Sequence, residues 1–147
     1  MYTNLLVATD GSKLSEKAVV HAIGLAKAVG AKVTAFYAAP DYPDPTYSEG
    51  IIYETISRKD YAAMAAASAE KILSKVAKMA GAAGVKCDTR YALSRAPWEA
   101  ILAAAKKNKC DVIVMGSHGR GGLAALFLGS ETQKVLANSK LPVIVAR

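Results

Sequence analysis

Residues 111–130 read DVIVMGSHGRGGLAALFLGS. The apolar run from Asp111 to Met115 predicts a buried strand, because it is continuous rather than alternating. The chain then turns at Gly116 and carries further glycines at 119, 121 and 122. A second apolar run stops at Gly129-Ser130, where a new helix is expected. The spacing is Gly116-x2-Gly119-x9-Gly129-Ser130. Glycine lets backbone N–H groups approach an anion with no Cβ in the way. A helix N-terminus adds free N–H donors and the positive end of a dipole. A strand, a glycine-rich turn and a helix start, in that order, make a place for phosphates that requires no lysine.

The rest of the chain supplies the fold around this stretch. Asn4 to Thr9 is a short apolar run that ends in Asp10-Gly11-Ser12, and it predicts a buried parallel strand. Ser12 or Ser15 can cap the next helix, expected over 13–29 with Leu14, Ala18, Ala22, Leu25 and Val29 as its apolar stripe and Gly30 just past its end. His21 lies beside this stripe and is given no role. Lys32 to Ala39 is a second strand. Residues 40–57 carry Pro40, Pro43, Pro45, Tyr42, Tyr47 and Tyr53 and predict a long irregular connection. Such a connection either covers a ligand or packs on its own aromatics.

An alanine-rich helix is expected over 58–83, with Tyr61, Met64, Ala65, Ser68, Ile72, Val76 and Met79 as its core stripe and Gly84 closing it. Val85 to Ala92 alternates, as in a strand at a sheet edge. Ser94-Arg95-Ala96-Pro97 opens a third helix with Trp98, Ile101, Leu102 and Ala105 on its apolar side. Ser130-Glu131-Thr132-Gln133 reads as an S-x-x-Q capping box, and Leu141 to Ala146 as a last strand. Five strands alternating with four helices predict a single α/β domain, 1–147, built on a doubly wound parallel sheet.

Composition narrows the function. The chain is 52% hydrophobic, enough for a sizeable core. No apolar run reaches the ~20 residues a membrane crossing needs, and no basic region with an apolar signal core opens the chain, so a cytoplasmic protein is expected. Cys87 and Cys110 show neither metal spacing nor a C-x-x-C pair and read as plain thiols of a reducing compartment. The net charge is +7, but its lysines are dispersed. Only Lys106, Lys107 and Lys109 cluster, where a helix is expected to end and cations complement the dipole. Solvated helix faces are expected, not a nucleic-acid stripe.

The spaced glycines with Ser130, the opening NLLVATDGS (Asn4 to Ser12) and the closing KLPVIVAR (Lys140 to Arg147) together resemble the universal stress protein family, in its ATP-binding subgroup. The resemblance runs nearly from end to end. It implies a Rossmann-like sheet, similar to the adenine nucleotide alpha hydrolases, in strand order 3-2-1-4-5. Ligands of such sheets bind at the carboxyl ends of strands where the order reverses. Here those ends are Ala8-Thr9-Asp10 and Met115-Gly116, the residues the glycine spacing already marks. Backbone N–H groups around His118, Gly119 and Arg120, and after Gly129, are then the phosphate cradle. Ser130 either donates to a phosphate or caps its helix. Arg120 neutralises phosphate charge or faces water. The resemblance places Asp10 near the ribose, although an aspartate there can also cap the first helix. It places the Ala38 backbone at the adenine edge, and Met115 would line the adenine pocket. Glu131, beside Ser130, completes the candidate nucleotide site.

The sequence holds no Walker lysine motif, and no paired carboxylates stand beside the glycine loop. Asp10 alone can reach Mg2+, through the phosphates. His118 could shuttle a proton, but a loop histidine is more often permissive. ATP binding with slow hydrolysis at most is expected, serving as a nucleotide-dependent switch in stress tolerance or growth arrest. The alternatives are an adaptor of the same fold that works without nucleotide, and a slow ATPase or phosphotransferase. Cyclic AMP or ADP could share the base and ribose contacts. The last strand, Pro142 to Arg147, is an apolar edge that needs covering, and the resemblance implies a homodimer through it.

Overall fold

In the structure, a computed structural model that describes residues 1–43, 47–48, 51–52, 56–118 and 127–147, the five strands and four helices that the sequence predicts alternate, and a short two-stranded hairpin is added after the second strand. They are β1 (Asn4–Ala8), α1 (Lys13–Val29), β2 (Lys32–Pro40), β3 (Tyr47–Ser48), β4 (Ile51–Ile52), α2 (Arg58–Ala82), β5 (Cys87–Ser94), α3 (Pro97–Lys107), β6 (Val112–Gly116), α4 (Ser130–Asn138) and β7 (Val143–Ala146). Among the described residues, β5-β2-β1-β6-β7 form one parallel sheet. In chain order its strands run 3-2-1-4-5, the expected arrangement. The alternating Val85 to Ala92 stretch does supply an edge strand, β5, which begins at Cys87 and runs on to Ser94.

Strand alternation divides the core in two. Leu5, Val7, Val33, Ala35, Val112 and Val114 face α1 and α2. Leu6, Phe36, Ile113 and Met115 face α3 and α4. Leu5, Leu6 and Ile113 are fully buried, and each such side chain contributes about 1.5–3 kcal/mol relative to exposure. Both faces are covered, which is why these strands read as continuous apolar runs.

The amino ends of β1 and β6 are tied by a polar cluster. Asp111 accepts from Thr3 N at 2.7 Å, Thr3 Oγ1 at 2.8 Å and Asn4 N at 3.3 Å. Asn4 Nδ2 donates to Asn108 O at 2.9 Å, and Thr34 Oγ1 donates to Asn4 Oδ1 at 3.0 Å. Burial by itself would raise the pKa of the Asp111 carboxyl, but the donors from Thr3 and Asn4 outweigh it and hold the group below its ordinary value. Cys110 is buried and Cys87 half-buried, both as free thiols, and burial pushes both thiols up.

Several expectations are corrected in detail. The buried line of α1 is Ser15, Ala18, Val19, Ala22, Ile23 and Ala26. Leu14, Leu25 and Val29 sit half-buried at its margin. In α2 the buried line is Ala69, Leu73, Val76 and Ala80, while Met64 is exposed. In both helices small residues lie against the sheet and let the helix approach closely. Ser12 caps α1 through Ser15 N at 3.2 Å, and Gly30 ends it with φ 73°, as the sequence predicts.

The connection after β2 is not wholly irregular, because β3 and β4 pair antiparallel within it. Its described ends pack on aromatics. Tyr61 Oη donates to Pro40 O at 2.7 Å and Asp41 O at 3.0 Å. The Tyr42 ring stands edge-on to Tyr61 and lies under Arg58, and Tyr42 Oη donates to Ile56 O. Pro45 and Tyr53 lie outside the described residues.

The S-x-x-Q capping box does not form. Gly129, not Ser130, is the N-cap of α4, and no side chain caps that end. Gly129 N donates to Ser117 O at 2.6 Å and Thr132 Oγ1 donates to Gly116 O at 2.9 Å. These two bonds start the helix at the serine that would have capped it. Gln133 Nε2 turns instead to Leu128 O, at 2.7 Å.

Candidate functional site

The strand order reverses between β1 and β6. Their carboxyl ends diverge there, β1 turning into α1 and β6 running toward α4, and a cavity of about 480 Å3 opens between them. Ala8, Thr9, Asp10, Ala38, Met115, Gly116, His118, Gly129, Ser130 and Glu131 all line it. The structure thus brings together every candidate nucleotide-site residue that it describes. Gly119 and Arg120 lie outside the described residues.

One wall is apolar. Phe36, Ala38, Ile101 and Met115 come from the strands and helix of the α3–α4 core. Sequence reasoning missed Phe36 and Ile101 as site residues, because their apolar periodicity marks them only as core. Phe127 also lines the cavity and is 71% exposed. An aromatic this open beside an apolar wall offers a face for a flat ring.

The opposite wall is polar and is built by turns. Gly11 N donates to Thr9 Oγ1 at 3.2 Å, and Ser12 N to Asp10 Oδ1 at 2.9 Å. Thr9 Oγ1 also pairs with Ser15 Oγ at 3.0 Å. These bonds fix the turn from β1 into α1 and hold the Asp10 side chain at its lip. Ser12 fills the helix cap, so Asp10 is not the side chain that caps α1.

On the α4 side the buried Thr132 is the residue the sequence did not show. Its hydroxyl donates to Gly116 O, and that bond clamps the start of α4 onto the end of β6. Its only signal is its place three residues after Gly129. With Gly129 as an N-cap lacking a side chain, the first N–H groups of α4 meet no side-chain acceptor among the described residues. Ser130 is exposed beside them. Glu131 has a different engagement: its Oε2 accepts from Trp98 N at 2.8 Å, and its Oε1 lies 3.8 Å from Lys134 Nζ. His118 is 9% exposed, and its Nδ1 lies 3.0 Å from Ser117 Oγ. An apolar slot for a flat ring beside a dipole end for an anion is the layout a nucleotide requires.

A model of the universal stress protein family matches residues 1–147. Universal stress protein MJ0531 of Methanocaldococcus jannaschii is 35% identical over 147 residues, covering 100% of this chain and 83% of that protein. A solved universal stress protein in complex with cAMP superposes with a TM-score of 0.73 at 27% identity, over 99% of this chain and 97% of that one. A universal stress protein of Archaeoglobus fulgidus in complex with dAMP, at 20% identity, shares the fold with a TM-score of 0.70 over 99% of this chain and 98% of its own. No helix among the described residues is long and apolar enough to cross a membrane.

Proposed function

The chain belongs to the universal stress protein family, and from that premise we propose that it binds ATP in the cleft between β1 and β6 and acts as a nucleotide-dependent switch in the stress response. The observation that carries this reading is one cavity with an apolar slot at one side and the uncapped N-terminus of α4 at the other. Adenine lies against Met115 and meets the Ala38 backbone. Asp10 faces the ribose. Gly116, the loop through Gly119 and Arg120, and Gly129-Ser130 hold the phosphates, with Mg2+ carried on the phosphates. The family supports the ligand class, since one solved member at 27% identity is a cAMP complex.

Slow or no hydrolysis is favoured by the state of Glu131. It is the carboxylate nearest the proposed phosphates along the chain, and it is occupied by Trp98 N and Lys134. A carboxylate already holding a helix N–H and facing an ammonium at 3.8 Å is poorly placed to activate water. We further propose a single domain over 1–147, a cytoplasmic location and a homodimer through the last strand.

The test is direct. The protein is purified without added nucleotide and denatured, and the released small molecules are separated by ion exchange with mass detection. The same is done for Gly129→Lys, which places a side chain in the phosphate site. ATP near one per chain in the native protein and none in the variant is the expected result. An empty protein that takes up neither ATP nor cAMP by calorimetry overturns the reading and leaves a nucleotide-independent adaptor. Uptake of cAMP alone would replace ATP with the ligand of the solved relative.

A further inference from the structure

His118 leaves one polar atom of the cleft unaccounted for. The residue lines the cavity, and its Nδ1 is engaged with Ser117 Oγ. Its Nε2 is buried and has no hydrogen-bond partner, the one such side-chain atom among the described residues. A ring nitrogen stripped of water and left unpaired is destabilising unless some state of the protein supplies its partner.

The position of the ring says which partner. Ser117 O accepts from Gly129 N, and Gly116 O accepts from Thr132 Oγ1. His118 therefore leaves β6 at the corner where α4 begins. Ala38, at the proposed base end, is on β2, which lies beyond β1 from β6 and so roughly 10 Å away across the sheet. Met115, which the base also meets, lies within β6, whereas His118 lies two residues past the end of that strand, on the way to α4, and this places the residue nearer the anion end of the cleft.

We propose that His118 Nε2 is a phosphate-directed hydrogen-bond donor. The Ser117 hydroxyl donates to Nδ1, which keeps the ring proton on Nε2. A phosphate oxygen of the bound nucleotide accepts that proton. Nε2 is buried, so a phosphate reaches it only by displacing the atoms over it. The unpaired nitrogen is satisfied only in the occupied state, which biases the cleft toward occupancy. The proposal rests on the nucleotide reading above and adds to it a side chain that separates phosphorylated ligands from bare nucleosides.

Calorimetric titration of adenosine, AMP and ATP into the native protein, His118→Phe, His118→Gln and His118→Asn tests it. The Phe variant is expected to lose affinity for AMP and ATP by about tenfold or more while adenosine is little changed. The Gln variant, whose amide nitrogen falls near the place of Nε2, recovers most of that loss. The Asn variant, whose amide ends near Nδ1, does not. In the native protein the Nε2 resonance of His118 shifts on adding AMP and stays put with adenosine. Binding of AMP and ATP by the Phe variant as tight as by the native protein, an equal loss for adenosine, or an unmoved Nε2 resonance overturns the proposal while the nucleotide reading stands. If the native protein binds no adenine nucleotide at all, the nucleotide reading fails first.

Discussion

Gly116 is hemmed in by main chain on two sides. A Cβ built there would lie 3.2 Å from Leu14 O and 3.3 Å from His118 O. Packed carbonyl groups cannot swing aside as the end of a flexible side chain can. Gly116→Ala is therefore expected to destabilise by about 1–3 kcal/mol, read as a lower urea midpoint with an unchanged slope. Gly24 is the control. It lies inside α1, and a Cβ there would meet nothing within 4 Å. Gly24→Ala should stabilise by about 0.5–1 kcal/mol, since alanine is the better helix former. A neutral Gly116→Ala would show that the carbonyls of Leu14 and His118 give way. At this scale the sequence is half legible. Glycine spacing marks Gly116 as a place where backbone approaches an anion. The second reason for glycine there comes from Leu14, a residue far off in the chain, and no local pattern can report it. The bond from Thr132 to Gly116 O escapes the sequence in the same way.

Among the elements, α3 and α4 are joined at their starts. The N-cap of α3 is Ala96, which has no side chain to offer. Ser94 Oγ is already engaged with Ala96 N and O, both at 3.0 Å. The acceptor comes instead from α4, as Glu131 Oε2 on Trp98 N. A carboxylate at a helix start satisfies an open donor and meets the positive end of the dipole. Glu131→Ala should thus cost about 1 kcal/mol, and Glu131→Gln, which keeps an acceptor but no charge, should cost less. Urea unfolding followed by fluorescence of Trp98, the only tryptophan, measures both. Midpoints that do not move would mean that the contact contributes nothing net. Elements were the best-read level of the chain, since proline, glycine and serine mark where α1, α2 and α3 begin or end. The rotation of a helix about its axis was read less well. In α2 alanines stand on every side, so its apolar pattern has a weak phase, and the line of Ala69, Leu73, Val76 and Ala80 could not be told from its neighbours. The start of α4 was misplaced because Ser130 and Gln133 match a capping pattern locally. The tie from Gly129 to Ser117 that overrides it is tertiary.

For the whole molecule, the strand order came from resemblance and the structure reproduces it, but each edge of the sheet remains to be explained by what covers it. The two edges differ. β5 carries Asp88 and Arg90, and Asp88 is paired at 2.8 Å with Lys32 of the neighbouring strand. Such charges discourage pairing with another chain. β7 reads Val143, Ile144, Val145 and Ala146, with no charge in the strand, and its three larger residues are only half-buried. An apolar edge with open backbone groups is a template for a second strand. The homodimer proposed above uses it, and two copies can pair it antiparallel about a two-fold axis. The variant must break that edge without breaking the core. Val143 packs against the cluster under α3 and α4, and Ile144 against the one under α1 and α2. Val145 belongs to neither, so Val145→Lys is the sharper test. Light scattering at micromolar concentration should give twice the chain mass for the native protein and a single chain mass for Val145→Lys, with little change in urea midpoint. A native protein that is monomeric, or a lysine variant that stays dimeric, would remove β7 as the interface and leave its apolar edge without a partner.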